Sequence, residues 1–283
     1  MTKSLQERID ALVAKGVAIS QQRSQSLASE QQNKIQDAVV LHFPPACSEN
    51  TRATPNSLLR GALFGLVSKG NRRFEDNVLK ATISGITVKF TGKQLDQADL
   101  DVWLECIHRC KKYGFGKPVH FSAHGFLKSI GRNTGKSDHE WLKASLLRLK
   151  VCNLELGDDR FFYDGNLLDE KYRDEHTGEH VIALNQKIAV LCASKLWTGL
   201  LLEQRTKLKG KPLAQWLHGF YSTHDKPFSY KVDTLMKLCG SENSELRKFK
   251  YKLKKSLSDL SIATGWQCSI DENDLVQLKK KEF

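Results

Sequence analysis

Residues 244–258 read SELRKFKYKLKKSLS. Leu246, Phe249, Leu253, Leu257 and Leu260 recur at three- and four-residue steps, a spacing that lines up one face of an α-helix and gives it an apolar stripe to bury. Arg247, Lys248, Lys250, Lys252, Lys254 and Lys255 fall off that stripe, with Tyr251 among them, and Glu245 is the only acid in the first turn. A helix with one apolar stripe and a cationic remainder either meets a polyanion or is heavily solvated. Its flanks decide between the two.

Before it, KVDTLMKLC at 231–239 is a short amphipathic helix closed by Gly240, and Ser241, Asn243 and Ser244 offer caps for the helix that follows. After it, Gly265 opens onto Trp266, Cys268 and Ile270 at alternate positions, then a DEND turn at 271–274, then Leu275 to Lys280. That is the pattern of a hairpin ending in lysines. Helix, turn, basic helix and hairpin in this order predict a winged helix, whose second helix enters a DNA major groove while its hairpin reaches the adjacent backbone.

Charge distribution agrees. The chain carries 44 Lys and Arg against 32 Asp and Glu, net +12, and residues 205–255 alone hold 13 basic and 4 acidic residues. Such concentration draws phosphate and releases counterions, whereas the same charge spread evenly would mainly favour solubility. With 283 residues and 40% apolar content the chain can bury two modest cores. No apolar run approaches the length of a membrane span, and MTKSLQERID lacks the apolar core of a secretory signal. The expectation is a cytoplasmic protein with no membrane partner. Its seven scattered cysteines, odd in number, are expected to be reduced.

Residues 4–14 begin with a capping box, Ser4 to Glu7, and set Leu5, Ile9, Leu12 and Val13 on one face. SQQRSQSLASEQQNK at 20–34 is almost free of apolar residues and reads as a linker. Residues 1–53 are therefore expected to form a partly disordered arm, followed by a first domain at 54–195 and a second at 196–283. Ile86, Val88 and Phe90 alternate as in a strand, and Thr91 to Gln94 predicts the cap of a helix reaching Tyr113 through Leu100, Trp103, Leu104, Ile107 and Cys110. FSAHGFLKSIG at 121–131 can be laid over YKVDTLMKLCG at 230–240 with aromatic, apolar, Lys and Gly positions coinciding, an internal echo.

The echo continues. Ser137 and Glu140 make a second capping box, opening SDHEWLKASLLRLK. Trp141, Ala144, Leu146 or Leu147, and Leu149 form its inward face, with Lys136, His139, Lys143 and Arg148 outside. Turns at Gly157, Asp164 to Asn166, and Thr177 to Gly178 supply a larger wing. The predicted fold is thus α+β, two tandem winged-helix domains with the second as main DNA-binding module. Its helix would use Arg247, Lys248, Lys250, Tyr251, Lys252, Lys254 and Lys255, with Lys279 and Lys280 on its wing. Two such helices at fixed spacing suit successive major grooves of directly repeated double-stranded DNA.

The runs TPNSLLRGALFGLVSKGNRRF, ISGITVKFTGKQLDQADLDVWLECI and TGKSDHEWLKASLLRLK resemble the TrfA family of plasmid replication initiator proteins. The resemblance covers roughly residues 54–283, and TGKQLDQADLDVWLE at 91–105 is its most specific segment. It implies binding to directly repeated iterons at a plasmid origin, melting of adjacent AT-rich DNA with contact to single-stranded origin DNA, and recruitment of the host initiator, helicase and sliding clamp. It implies an active monomer, with a homodimer restraining copy number. The family's clamp contact is expected through a motif ending in Leu-Phe, preceded by Gln-Leu and one further residue. Here RGALF at 60–64 keeps Leu63 and Phe64 and lacks the Gln and first Leu; packing of both in the first domain is the alternative.

Other chemistries fit less well. GRNTGKS at 131–137 has three residues between its glycines where a phosphate-binding loop needs four, and it follows a helix rather than a strand. If Lys136 acts, a DNA phosphate at the start of its helix is the target. His176, Glu179 and His180 match an inverted zinc-protease spacing, but the flanks read as a hairpin. Cys106, Cys110, His120 and His124 have near-zinc spacing, although the cysteines belong to the long helix. No nucleophile and base pair stands out, so a non-enzymatic protein without metal or cofactor is expected, with a winged-helix transcriptional repressor as the alternative.

Overall fold

A computed structural model describes residues 48–280 apart from 69, 84, 158–161, 175, 178, 189–196, 243 and 244. The expected helix at 4–14 and linker at 20–34 lie outside the described residues. The fold is α+β. Strand β1 (Thr51–Pro55) pairs antiparallel with β11 (Trp197–Leu201). The arm boundary expected at 53/54 therefore falls inside a strand, and β1 ties the start of the first domain to the start of the second.

After α1 (Asn56–Leu59), β2 (Phe64–Gly65) runs parallel to β5 (Leu95–Asp96). Strands β3 (Phe74–Leu79), β4 (Thr87–Lys93), β7 (Asn153–Gly157) and β8 (Phe162–Gly165) form an antiparallel sheet in that order. Helix α2 (Gln97–Cys110) buries Leu100, Trp103, Leu104, Ile107 and Cys110 as its periodicity predicts. Its cap differs from the expected one. Asp96 accepts from the amides of Ala98 and Asp99, and Asp99 accepts in return from Asp96 N, because Thr91 and Gln94 are used to hold β3 through Asn77 N and Glu75. The helix ends at Cys110 rather than Tyr113.

The internal echo is a repeated topology. Strand β6 (Val119–Phe121), α3 (Ala123–Ser129) and α4 (Lys136–Val151) lead to the hairpin β9 (Leu168–Arg173) and β10 (His180–Leu184), with sheet order β6-β10-β9. After α5 (Leu202–Lys207) and α6 (Pro212–Ser222), β12 (Tyr230–Lys231), α7 (Val232–Leu238) and α8 (Leu246–Thr264) lead to β13 (Gln267–Ile270) and β14 (Leu275–Lys279), with order β12-β14-β13. The sequence overlay puts Gly131 (φ 65°) on Gly240 (φ 66°). Each closes its short helix in the left-handed region, and the next amide reaches back to the same place, Arg132 N to Leu127 O at 2.8 Å and Ser241 N to Met236 O at 3.0 Å.

Three expectations for the first module need correction. The turns at Gly157 and Asp164 to Asn166 belong to β7 and β8, which join the sheet of β3 and β4, so the hairpin equivalent to β13–β14 in the repeated order is β9–β10. Helix α4 starts from Gly135 with no side-chain cap, leaving Ser137 inside the helix. Its buried face is Leu142, Ser145, Leu146 and Leu149, about one residue round from the expected stripe. Ala144 and Leu147 are exposed, and Trp141 lies under the Arg132 guanidinium, 3.6 Å from the ring centroid.

In the second module Phe249, Leu253, Leu257 and Leu260 of α8 pack with Leu213, Leu217 and Phe220 of α6, Val232 and Leu235 of α7, and Val276 and Leu278 of β14. Leu246 stays exposed at the helix start, and Glu245 occupies the cap position without a side-chain cap bond. Gly265 (φ 76°) ends the helix.

The two modules interlock through polar contacts. Arg205 donates to Asp101 at 2.6 Å, Gln215 O at 2.7 Å, and Gln97 Oε1 at 2.9 Å. Arg60 donates to Thr223 Oγ1 and O, Trp216 Nε1 to Gly61 O, and Leu66 N to Cys239 O. Asp99 holds α4 to α2: it accepts from Ser145 at 2.6 Å and Arg148 at 2.6 Å, and pairs with Arg72 at 2.8 Å.

Asp99→Ala strands these buried donors and should lower the free energy of unfolding by about 3–5 kcal/mol in urea titrations, whereas the exposed Leu147→Ala should stay within about 0.5 kcal/mol. His218 gives a pH signature. Burial pushes its pKa down to about 3 from 6.5, with Arg205 and Lys280 adding repulsion. Its stabilising effect is complete above the unfolded value and is lost as pH falls toward the folded one, because the unfolded chain takes up a proton the folded chain refuses. Between pH 6.5 and 3 this adds a slope of up to about 1.4 kcal/mol per pH unit, and His218→Gln should remove it in unfolding measured across that window.

Candidate nucleic-acid interface

Helix α8 places its charges where its apolar stripe predicts. Arg247, Lys248, Tyr251, Lys252, Lys254 and Lys255 are exposed, and Phe249 and Leu253 are buried beneath them. Two contacts fix the helix in place. Lys250 reaches Asp274 in the hairpin turn, and Lys211 at the start of α6 pairs with Asp259 at 2.6 Å. Lys250 is thereby a tether between helix and hairpin as well as a charge. Lys248 pairs with Glu245 at 2.6 Å, a surface pair of small energetic effect.

The hairpin turn is held by Asp271, which accepts from the amides of Asn273 and Leu275 at 2.9 Å each; these bonds lower its pKa. Lys279 is exposed on β14. Lys280 turns back onto the module instead: it donates to Ser222 O at 3.3 Å and sits 5.4 Å from the Trp266 ring, with burial lowering its pKa. Beside α8 lies an open cleft of about 620 Å³ lined by Tyr251, Lys252, Lys255, Lys211 and Leu66. Lys211 was missed by sequence reasoning, and its place one residue before a helix-starting Pro212 was the available signal.

In the first module Lys136 is exposed and His139 and Lys143 are half-buried along one side of α4. Arg148 is corrected. Its guanidinium is turned inward against Asp99, whose carboxylate is fully buried, so it holds α4 in place and has no face for DNA. Leu63 and Phe64 are corrected likewise, at 3% and 1% exposure in the core around β2, and neither offers a side chain to a clamp in this fold.

The zinc-like spacings do not converge. Cys106 and Cys110 are buried in α2, while His120 and His124 are exposed. His180 is buried in β10 and His176 is exposed in the turn. Among the described residues no group of three His, Cys, Asp or Glu side chains could hold a metal. Burial pushes the thiols of Cys110 and Cys239 up to about 12 and Cys152 to about 11, which keeps them protonated and unreactive. Among the described residues no helix is long and apolar enough to cross a membrane.

Comparison with known proteins places the chain in a family. The family model described as TrfA protein matches residues 8–280. The chain belongs to the TrfA family. The plasmid replication initiator protein TrfA of Escherichia coli is 23% identical over 280 residues, a match spanning 95% of this chain and 72% of that protein. Among solved structures, domains 2 and 3 of RctB superpose with a TM-score of 0.55 at 12% identity, covering 80% of this chain and 96% of that one. A second crystal structure of RctB domains 2–3 gives 0.50 at 12% identity, covering 76% and 93%. At this identity the RctB likeness concerns the fold, and it extends the mixed helix-and-strand arrangement across most of this TrfA-family chain.

If the cationic face serves a ligand rather than the fold, stability should ignore it. Phe249→Ala should cost about 3–5 kcal/mol in chemical unfolding, whereas Arg247→Gln and Lys254→Gln should each stay within about 0.5 kcal/mol.

Proposed function

We propose that this chain is a plasmid replication initiator that binds directly repeated iteron DNA through two winged-helix modules and performs no catalysis itself. The observation that carries the reading is the repeated strand, helix, glycine, helix and hairpin order, with α8 presenting Arg247, Tyr251, Lys254 and Lys255 outward. Helix α8 enters the major groove, Lys279 on its hairpin approaches the backbone, and Lys136, His139 and Lys143 of α4 make the first module's contacts. Backbone contacts set position, and a few of these side chains read bases.

The plasmid context rests on family membership and on the Escherichia coli relative being a plasmid replication initiator. On that basis the protein opens the adjacent origin, holds the exposed single strand and brings the host initiator, helicase and sliding clamp to it. It acts in the cytoplasm as a monomer, with a homodimer as the restraining form.

Fluorescence anisotropy on direct repeats from its own replicon should show binding about a thousandfold or more tighter than on shuffled duplex at moderate salt, with one protein per repeat. Arg247→Gln and Lys254→Gln, where they contact phosphate, should weaken all duplexes alike and each lower the salt slope by about one. Equal binding to every duplex would overturn the reading, and a palindrome preferred at two proteins per site would indicate a repressor.

A further inference from the structure

The stretch GRNTGKS at 131–137 fails as a nucleotide loop, since it follows α3 rather than a strand. It nonetheless delivers the 16-residue helix α4 with no side chain capping its N-terminus; its first-turn acid, Asp138, is paired with Arg132 at 3.2 Å, so the amides at the positive end of the helix dipole have no side-chain acceptor. That end opens on a cleft of about 450 Å³ walled by α3, α4 and the β9–β10 hairpin. Lys136, His139, Lys143, Arg173 and His180 line it, and His124 stands at the start of α3. One acid lies on the rim, Glu140, tied to Lys143 at 2.7 Å.

His180 is an independent second sign. It is only 3% exposed, it lines this cleft, and its Nδ1 has no hydrogen-bond partner among the described residues. Its ring is fixed by stacking on Phe121, with centroids 5.7 Å apart. A buried imidazole nitrogen without a partner is costly to keep. An anion in the cleft would remove that cost by accepting from an Nδ1–H tautomer. Burial, Lys171, Arg173, Lys143 and His139 all oppose a proton on His180, and burial, then Lys143, opposes the charge on Lys171. Repulsion of this kind among cations from α4 and β9 is relieved by an anion between them.

We propose that this cleft is a phosphate site in which Lys136, Lys143, Arg173, His139 and His180 hold one phosphate group by charge and N–H donation. It rests on the DNA-binding reading only for its source, which is either a phosphate of the duplex backbone or a free polyphosphate. The sequence alone pointed at Lys136; the fold adds a strand pair whose Arg173 and His180 are distant from it in sequence.

The test is histidine side-chain NMR on the full chain, titrated with inorganic pyrophosphate at ionic strength matched with chloride. The expected result is a saturable shift of the His180 resonances with pyrophosphate and none with chloride. Lys136→Gln with Lys143→Gln, checked by thermal unfolding, should abolish saturation and, where the duplex backbone is the source, lower the salt slope of repeat binding by about two. His139→Gln serves as a second variant with the same readout.

Adding the direct-repeat duplex separates the sources. If His180 shifts with the duplex and pyrophosphate then has no effect, the backbone occupies the site. If the duplex binds by anisotropy while pyrophosphate titrates His180 unchanged, the ligand is a free polyphosphate. Absence of a saturable His180 shift with either would overturn the proposal, whereas the anisotropy reports independently on DNA binding.

Discussion

Helix α2 carries three carboxylates, and each is matched by arginines from other parts of the chain. Asp99 meets Arg148 of α4 and Arg72 of the loop before β3. Asp101 meets Arg205 of α5, and Glu105 meets Arg52 of β1 at 2.9 Å and its own neighbour Arg109 at 2.8 Å. Buried charges are tolerable only when paired and hydrogen-bonded, so these contacts admit few alternative arrangements. They make α2 the frame. Its Asp99 side fixes the helix of the first module, and its Gln97 and Asp101 side fixes the start of the second through Arg205.

The two modules share a topology and use it differently. In the second, the cations are spread along the outward side of α8, above a core of Phe249, Leu253, Leu257 and Leu260. In the first, they gather around a cleft, because α4 is shorter on exposed charge and β9 brings Lys171 and Arg173 against it. Insertion of β7 and β8 between α4 and β9 lets the first module build a second sheet with β3 and β4. Among the equivalent positions Gly131 and Gly240 are both glycine, and a side chain would strain the left-handed backbone at either.

What the sequence made legible was local. The stripe of α8, the hairpin after Gly265 and the overlay of 121–131 on 230–240 depend on periodicity and turn chemistry within a dozen residues, and each appears in the fold. What it hid was long-range. Arg148 reads as an outward cation until Asp99, 49 residues away, turns it inward. The expected face of α4 was displaced for the same reason, since Ser145 is buried to reach Asp99. The hairpin of the first module was misplaced because the β7 pattern does not say that β4 is its partner. His180 could not be placed beside the same cleft as Lys136 from spacing at all, because the hairpin brings it there.

Separation of stability from surface charge has a consequence for recognition. The contacts that hold α8 are apolar burial below and tethers at its margins, Lys250 to Asp274 and Lys211 to Asp259. Its outward cations are therefore not needed by the fold, and the helix they stand on is already ordered before any ligand arrives. Ordering a flexible segment on binding takes free energy away from affinity; a helix held in this way avoids most of that loss. The same holds between modules, since Arg205 and the β1–β11 pair set one module against the other in the free protein. A ligand with matching spacing meets both helices pre-aligned, and one with the wrong spacing can be met by both only by breaking buried contacts. On the function proposed above, discrimination of spacing belongs to the arginine–carboxylate frame and affinity to the lysines.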